Sequence, residues 1–433
     1  MAENTFKING IEYEFECTIK NNDGEASYNK YAVKNMRIVE DLFSPFLTGD
    51  IALVNSYELL EEEFLIKGDG NDKITIKFKP KDDKNNDEFD YEFVPIIDYN
   101  IGNSDTRSDN YKTFKLIDSN TIPFREKVPY NKTYTGKVGD ILKEIFIELL
   151  GEELVDKENW DSCDIFISYT PPNTFRYNDL VKYLMPSLCS KENDLYVKSF
   201  LRFDRKKRKF FLKKLTKIFS ENDDLAKESF IISDVGGNSE TINPNNPPAG
   251  AEYAAYLNQL KNFQISTPLY DWNNDYFTNY LVHGYDPMMG QFRMKKIEFE
   301  DLKKDWKELF VDVFKSIGGK PKPYLPISED GKKRFKNIKT PYPIEDNVKI
   351  VMSEICNTLI FYNLQCSFHI LGSGKRSTGT FVDIAKTGNK SIKSDGKLLG
   401  RWLVTSVVHE FFGETYKNIV SGCKTYVGPE SKI

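Results

Sequence analysis

The chain has 433 residues, 39% of them hydrophobic and 29% charged, with a formal net charge of −5. That balance fits a globular protein of roughly two to four compact units and argues against a general nucleic-acid coat. No stretch approaches the roughly 18 apolar residues of a membrane helix, and residues 1–10 hold Glu3 but no apolar run, so no secretory signal is expected.

The N-terminal part reads as strands and tight turns. Asn9-Gly10 lies between Phe6/Ile8 and Ile11/Tyr13/Phe15, a hairpin signal because both turn residues tolerate positive φ. Further strand-like runs fall at 33–39, 50–54, 73–78, 91–97 and 112–117. The charged stretch 79–88 predicts a solvated hairpin tip. A small β-barrel over residues 4–120 is the natural assembly of these runs. Aromatic residues, 14% of the chain, suit β-rich packing and broad interfaces.

The pattern then changes. Ile141, Leu142, Ile145, Phe146 and Leu149 recur at helical spacing, with Gly151 as a stop. Leu180, Val181, Leu184, Met185 and Leu188 mark a second helix, which Pro186 should kink or end early. Strands are expected at 163–168, 199–203 and 209–212, the last two flanking the polar turn 204–208. Together these make an α+β unit over 121–225. Beyond a strand at 229–233 come a Gly/Asn/Pro-rich loop at 236–250 and a long mixed region. A helix-like run follows at 300–317, then a Lys/Pro linker at 320–343 and a helix at 347–360. Strands return at 365–371, 379–384, 398–411 and 416–426, and no short tandem repeat is present. In the strand at 398–411, Trp402, Val404 and Val408 should share one face, with Leu403 and Val407 on the other. Both faces are thus partly apolar, as expected if one faces the barrel core and the other meets a covering element or neighbour.

Motifs that suggest chemistry fail where that chemistry needs them. Gly372-Ser-Gly374-Lys375 invites a phosphate-cradling loop, but His369 stands where the first Gly belongs and Arg376 where Ser or Thr belongs. A tight charged turn between two strands is the better reading. His409-Glu410 opens like a zinc-protease helix, yet Gly413 replaces the second His and the segment alternates like a strand. His283, His369 and His409 lie in separate segments, so a nucleophile–His–carboxylate set would depend wholly on the fold. The 65 acidic residues guarantee chance pairs and so define no glycosidase site. No catalytic, cofactor-binding or metal-ligating residue is assigned.

The basic run Arg202, Arg205, Lys206, Lys207, Arg208 and Lys209, continued by Lys213 and Lys214, is the sharpest charge feature. It reads as a solvated hairpin turn, with DNA or an acidic partner surface as the alternative. Cys17, Cys163, Cys189, Cys356, Cys366 and Cys423 are scattered without C-x-x-C spacing, and are expected to be reduced, buried thiols made in a cytoplasm. Asn131-Lys-Thr133 and Asn389-Lys-Ser391 fit the glycosylation pattern but mean little without a secretion signal.

Several segments carry a family resemblance. Phe368-His-Ile-Leu-Gly372, Gly379-Thr-Phe-Val-Asp383, the run Gly400-Arg-Trp-Leu-Val-Thr-Ser-Val-Val-His409 and Tyr416-Lys-Asn-Ile-Val-Ser421 resemble the closing strands of the baseplate hub proteins of contractile-tailed phages. Glu40-Asp-Leu-Phe-Ser-Pro-Phe-Leu-Thr-Gly-Asp-Ile51, with Leu59/Leu60 and the segment 68–78, is similar to that family's first barrel. Residues 166–172, the helix at 180–188 and the hairpin at 200–211 are similar to its middle domain. The resemblance is spread over most of the chain in order, is least clear at 236–355, and is most distinctive in the Gly-Arg-Trp strand.

What it implies is a β-dominated α+β fold: two tube-like β-barrel domains with an α+β domain and a helical and loop insertion between them. The divisions would be 1–120 for the first barrel, 121–225 for the middle domain and 296–355 for the insertion, with 226–295 and 356–433 making the second barrel. The implied function is structural and non-enzymatic, without cofactor. A homotrimer in the virion baseplate, synthesised in the host cytoplasm, would join a sixfold tail tube protein to a threefold central spike protein. It would touch other baseplate proteins, let DNA pass through its lumen and insert in no membrane. The related spike proteins of type VI secretion share the implied architecture. The alternatives are therefore the spike base of a secretion or contractile injection system, or a tail-associated cell-wall hydrolase.

Overall fold

The computed structural model describes residues 5–8, 11–22, 24–28, 32–54, 71–81, 88–97, 111–221, 228–233, 260–268, 279–286, 288–310, 322–323, 335–387, 399–412 and 415–427. The first strands are β1 (Thr5–Ile8), β2 (Ile11–Asn21), β3 (Gly24–Tyr28), β4 (Val33–Asp41), β5 (Thr48–Val54), β6 (Lys73–Pro80), β7 (Phe89–Ile97) and β8 (Tyr111–Asp118). In β6, Ile74, Ile76 and Phe78 are buried while Lys73 and Lys79 are exposed, the period-2 pattern of a sheet with one wet face. Ile8 pairs with Ile11, as a hairpin through Asn9-Gly10 requires. Those two turn residues, and the tip at 82–87, lie outside the described residues.

Next in the chain come β9 (Tyr134–Lys137), α1 (Val138–Leu150), β10 (Val155–Trp160), β11 (Phe166–Tyr169), α2 (Tyr177–Leu184), β12 (Cys189–Glu192), β13 (Leu195–Asp204), β14 (Lys209–Lys214) and α3 (Leu215–Glu221). Helix α1 buries Ile141, Leu142, Ile145 and Phe146 and ends at Gly151, whose φ of 94° suits glycine. Helix α2 stops at Leu184, and Pro186 sits in the 3-10 turn Met185–Ser187 that follows, as a missing N–H dictates.

The remaining elements are β15 (Glu228–Ser233), β16 (Lys261–Ser266), β17 (Asn279–Asp286), β18 (Gln291–Ile297), α4 (Phe299–Phe310), β19 (Lys322–Pro323), β20 (Phe335–Pro343), α5 (Ile344–Phe361), β21 (Leu364–Leu371), β22 (Phe381–Thr387), β23 (Gly400–Phe412), β24 (Thr415–Lys424) and β25 (Tyr426–Val427). The linker expected at 320–343 therefore contains a strand. Residues of β20 pair in parallel with β17, and β20 lies at the edge of a β18-β17-β20 sheet. Edge strands tolerate the prolines that argued against one. The expected loop at 236–250 and the helix beyond Phe310 fall outside the described residues.

Among the described residues one sheet of fourteen strands dominates, in the order β1-β2-β6-β7-β8-β5-β4-β23-β24-β21-β16, with β3 on β2 and β22 and β15 attached through β23. Its ladders are antiparallel except β15–β22. The junction is β4–β23, where Val39 opposes Val408 and the strands of the two ends of the chain become one sheet. The N-terminal side of that sheet curls into a half-barrel, so rings from distant strands meet across its core. Tyr13 of β2 meets Tyr416 of β24 at 5.9 Å, and Phe78 of β6 meets Phe411 of β23 at 4.7 Å. The β-dominated α+β class is as the sequence indicated. Two separate tube-like barrels are a finer division than this pairing carries.

Strand β23 is buried on both faces, with Trp402 and Leu403 fully covered. Trp402 and Val404 pack in one core and Leu403 in another, as alternation requires. Past Val404 the expected faces exchange, and Val407 joins Trp402. The cause is a register shift between Val404 and Ser406 against β24, since one extra residue reverses every later side chain. Helix α5 packs between β13 and β17, its Val351, Ile355 and Leu359 sharing a core with Leu195, Phe200 and Val282. Among the described residues no helix is long and apolar enough to cross a membrane.

Candidate functional site

The fold brings the 372–375 turn, His409 and the first two arginines of the basic run into one largely buried cluster. Period 2 in β4 aims Glu40 inward with Met36 and Ile38. Its Oε1 accepts the Thr378 backbone N–H at 2.9 Å and the Thr378 hydroxyl at 3.2 Å. Two cations from the β13–β14 hairpin complete the shell, Arg202 Nη2 at 3.5 Å from Oε1 and Arg205 Nε at 3.0 Å from Oε2. Arg202 also donates to the Thr378 carbonyl and hydroxyl. Burial pulls the Arg202 guanidinium below its ordinary pKa, and Glu40 opposes that pull.

Arg205 reaches further. Its Nη1 and Nη2 donate to the carbonyls of Gly374 and Arg376 at 2.9 and 2.7 Å, and its guanidinium lies 5.0 Å from the Phe89 ring centre. The Gly372–Lys375 turn is thus read from outside by an arginine that grips its carbonyls. A phosphate cradle would instead present amides. Gly379, at φ 75°, leaves room for Arg202: a Cβ there would stand 2.1 Å from Nη1.

A second polar chain leads into the half-barrel. Arg376 donates to the Leu371 carbonyl and, at 2.7 Å, to Asn418 Oδ1, which also accepts the Ser373 N–H. Asn418 Nδ2 lies 3.0 Å from His409 Nδ1, and the Tyr416 hydroxyl lies 2.8 Å from the same nitrogen. An amide nitrogen only donates, so Nδ1 accepts and the imidazole carries its proton on Nε2. Nε2 has no hydrogen-bond partner among the described residues. Burial first, then Arg205 and Arg376, hold His409 well below its usual pKa, so it stays neutral.

The expected solvated basic turn needs correction. Lys206, Lys207 and Arg208 are exposed, and Arg208 pairs with Asp90 at 2.6 Å. Arg202 is buried and Arg205 mostly so, both as ion-pair partners of Glu40. A buried acceptor far along the chain decides this, and local charge density carries no record of it. The arginines stand out in the sequence, whereas nothing local marks Glu40, Thr378 or Asn418 as their partners, and Glu40 lies just past the strand expected at 33–39.

The other candidates lie apart. His283 contacts Asn337 and His369 contacts Asn262, both on exposed ground. His369 and His409 oppose Ile419 and Asn418 of β24, hence project from opposite sheet faces. All six cysteines are free and buried. Burial pushes the Cys17, Cys189, Cys356 and Cys366 thiols up to about 12, far from nucleophilic at neutral pH. Among the described residues no three His, Cys, Asp or Glu side chains gather as a metal site. A surface cleft of about 470 Å³ lined by Trp160, Glu192, Lys214 and Lys217 mixes both charges and opens to solvent. The cluster ties β4, the β13–β14 hairpin and the 372–380 loop together.

No family model and no curated protein matches the sequence. Solved structures do. The tail protein from Neisseria meningitidis MC58 superposes with a TM-score of 0.53 at 6% identity, over 95% of this chain and 96% of that one. The 43 kDa tail protein of prophage MuSo2 from Shewanella oneidensis gives 0.50 at 10% identity, over 94% and 98%. A chain of the Francisella PdpA-VgrG complex gives 0.49 at 10% identity, over 98% of this chain and 54% of that one. At such identities the first two likenesses are likenesses of fold. Over nearly its whole length the chain has the fold of phage tail proteins, as its sequence resemblance indicated.

Proposed function

We propose that the chain is a structural hub subunit of a contractile phage baseplate and has no enzymatic role. The observation that carries this reading is the end-to-end fold likeness to two tail proteins, each covered almost completely. The clasp supports it: Glu40 and Arg202 are buried and Arg205 mostly so, all bonded to one another or to the 372–380 loop, and the buried His409 Nδ1 is taken up by Tyr416 and Asn418. Three copies form a ring between tail tube and central spike, with other baseplate proteins around it and a lumen for the genome. Each chain contributes two related β units, so three chains present six quasi-equivalent surfaces to a sixfold tube and keep threefold symmetry below. Head-to-tail contacts close such a ring when the rotation fits, and ring closure shields sheet edges from unwanted pairing.

Electron microscopy of the purified assembly tests this. The expected result is a threefold ring with an open lumen, in which the N-terminal and C-terminal β units of each chain superpose and alternate. An assembly without threefold symmetry, or a ring whose units do not superpose, overturns it.

A further inference from the structure

The β17–β18 hairpin is built unlike the rest of the described surface. Helix α5 covers one face of β17: Tyr280 and Val282 are buried, and a Cβ on Gly284 would stand 2.5 Å from Ile344 Cα. The other face sets Tyr285 opposite Phe292 and His283 opposite Met294. The Tyr285 and Phe292 rings meet edge to face at 5.6 Å, yet Phe292 is 84% exposed and Met294 60%. At the turn, Met288 and Met289 are 93% and 61% exposed. Six successive residues of β18, 291–296, are exposed, and among the described strands β18 pairs only with β17. Alternation puts Arg293 and Lys295 on the side opposite Phe292 and Met294. Asp286, the hairpin's one carboxylate, is held by Arg293 at 3.0 Å and by the N–H groups of Met288 and Met289.

We propose that β18 is a docking edge for an extended segment of a protein partner in which apolar and acidic residues alternate. A strand added to β18 continues its pleat. Its apolar side chains then cover Phe292 and Met294, and its carboxylates meet Arg293 and Lys295. Methionine, aromatic residues and arginine are the types enriched in interface cores, and methionine adapts to an incoming shape. Two other occupants fit less well. Pairing β18 with β18 of a second copy sets Arg293 and Lys295 against their own kind, which is unfavourable. Burying the hairpin in lipid strips water from edge amides and carbonyls that no described strand pairs. The inference is independent of the hub reading and survives if the ring does not.

The test uses the whole chain and four short synthetic peptides, followed by fluorescence polarisation. They are alternating Val-Glu, alternating Val-Lys, a Val block followed by a Glu block, and alternating Val-Glu with N-methylated backbone. The expected result is binding of the first peptide only, because it alone matches pleat, charge and ladder. Phe292→Ser with Met294→Ser weakens it at least about tenfold. Arg293→Glu with Lys295→Glu shifts preference to the Val-Lys peptide. Each substituted residue is exposed, and an unchanged melting curve verifies that each variant folds. Equal binding of all four peptides, or none up to roughly 1 mM, overturns the proposal. So does hairpin-dependent self-association in light scattering, which makes a second copy the occupant. Hairpin-dependent binding to phosphatidylserine vesicles without peptide selectivity would make the occupant lipid, and it overturns the proposal as well.

Discussion

Two basic hairpins in this chain share one turn and meet opposite fates. In the β13–β14 hairpin Asp204 pairs with Lys209, its Oδ1 accepts the N–H groups of Lys206 and Lys207, and Arg208 takes φ 52°. In the β17–β18 hairpin Asp286 pairs with Gln291, its Oδ1 accepts the N–H groups of Met288 and Met289, and Gly290 takes φ 65°. In each the aspartate supplies a local substitute for backbone bonding, and the last loop residue adopts the left-handed conformation the reversal needs. Beyond the turns they diverge. Arg202 and Arg205 find Glu40 and the carbonyls of the 372–380 loop, and the first hairpin turns inward. Among the described residues Arg293 finds its own aspartate and a neighbouring methionine sulfur, and the second hairpin stands in water. Turn chemistry makes a hairpin; a distant acceptor decides whether its charges become structure or surface.

The largest expected effect breaks that acceptor. Glu40→Ala leaves the buried Arg202 and the mostly buried Arg205 without their carboxylate and should destabilise the chain by about 3–5 kcal/mol, read from the denaturant midpoint. Replacing the whole set, Glu40→Leu with Arg202→Met and Arg205→Met, should recover part of that loss, because no buried charge is then stranded although the Thr378 N–H and the Gly374 and Arg376 carbonyls still lose partners. A Glu40→Ala midpoint equal to the parent's would show that the cluster holds nothing together.

A buried cation held by a carbonyl and a ring sharpens the contrast. Lys424 donates to the Leu399 carbonyl at 2.7 Å and lies 4.7 Å from the Trp402 ring centre. Burial brings its pKa down from 10.5 to about 7. Below about pH 7 both folded and unfolded chains carry the proton, and the folded state bears the full cost of the buried charge. Between about 7 and 10.5 only the unfolded chain is protonated there, so stability rises with pH by about 1.4 kcal/mol per unit. Lys424→Met should remove this slope. Stability curves between about pH 7 and 10 that run parallel for the two proteins would contradict it.

How much of this was legible follows from how local the signal is. Period 2 exposed β6 and β23, period 3.6 exposed α1, and Pro186 ended α2 where a missing N–H must. The bulge near Val404 was not legible, since neither Gly nor Pro marks it and the partner register imposes it. Strand β20 was hidden by prolines that an edge position tolerates. The clasp was half visible: the arginines stood out as a basic run, but Glu40 lay beyond the strand expected at 33–39 and Thr378 lies 338 residues from it. No local pattern records a pair so distant, and only the β4–β23 junction brings the two together.

The smallest expected effect separates what the two hairpins still share. Lys206 and Lys207 project into solvent from the same hairpin that buries Arg202 and Arg205. Their backbone N–H groups hold the turn through Asp204, while their ammonium groups make no contribution to the clasp. Lys206→Ser with Lys207→Ser should therefore shift stability by no more than about 0.5 kcal/mol, and Arg293→Ser with Lys295→Ser on the other hairpin should do the same. Arg205→Ser, one position before the two lysines, should cost several times more, because Gly374, Arg376 and Glu40 all lose a donor. Denaturant midpoints for the three variants decide the matter. A double lysine variant as damaging as Arg205→Ser would mean that charge along the hairpin, and not the buried acceptor, orders it.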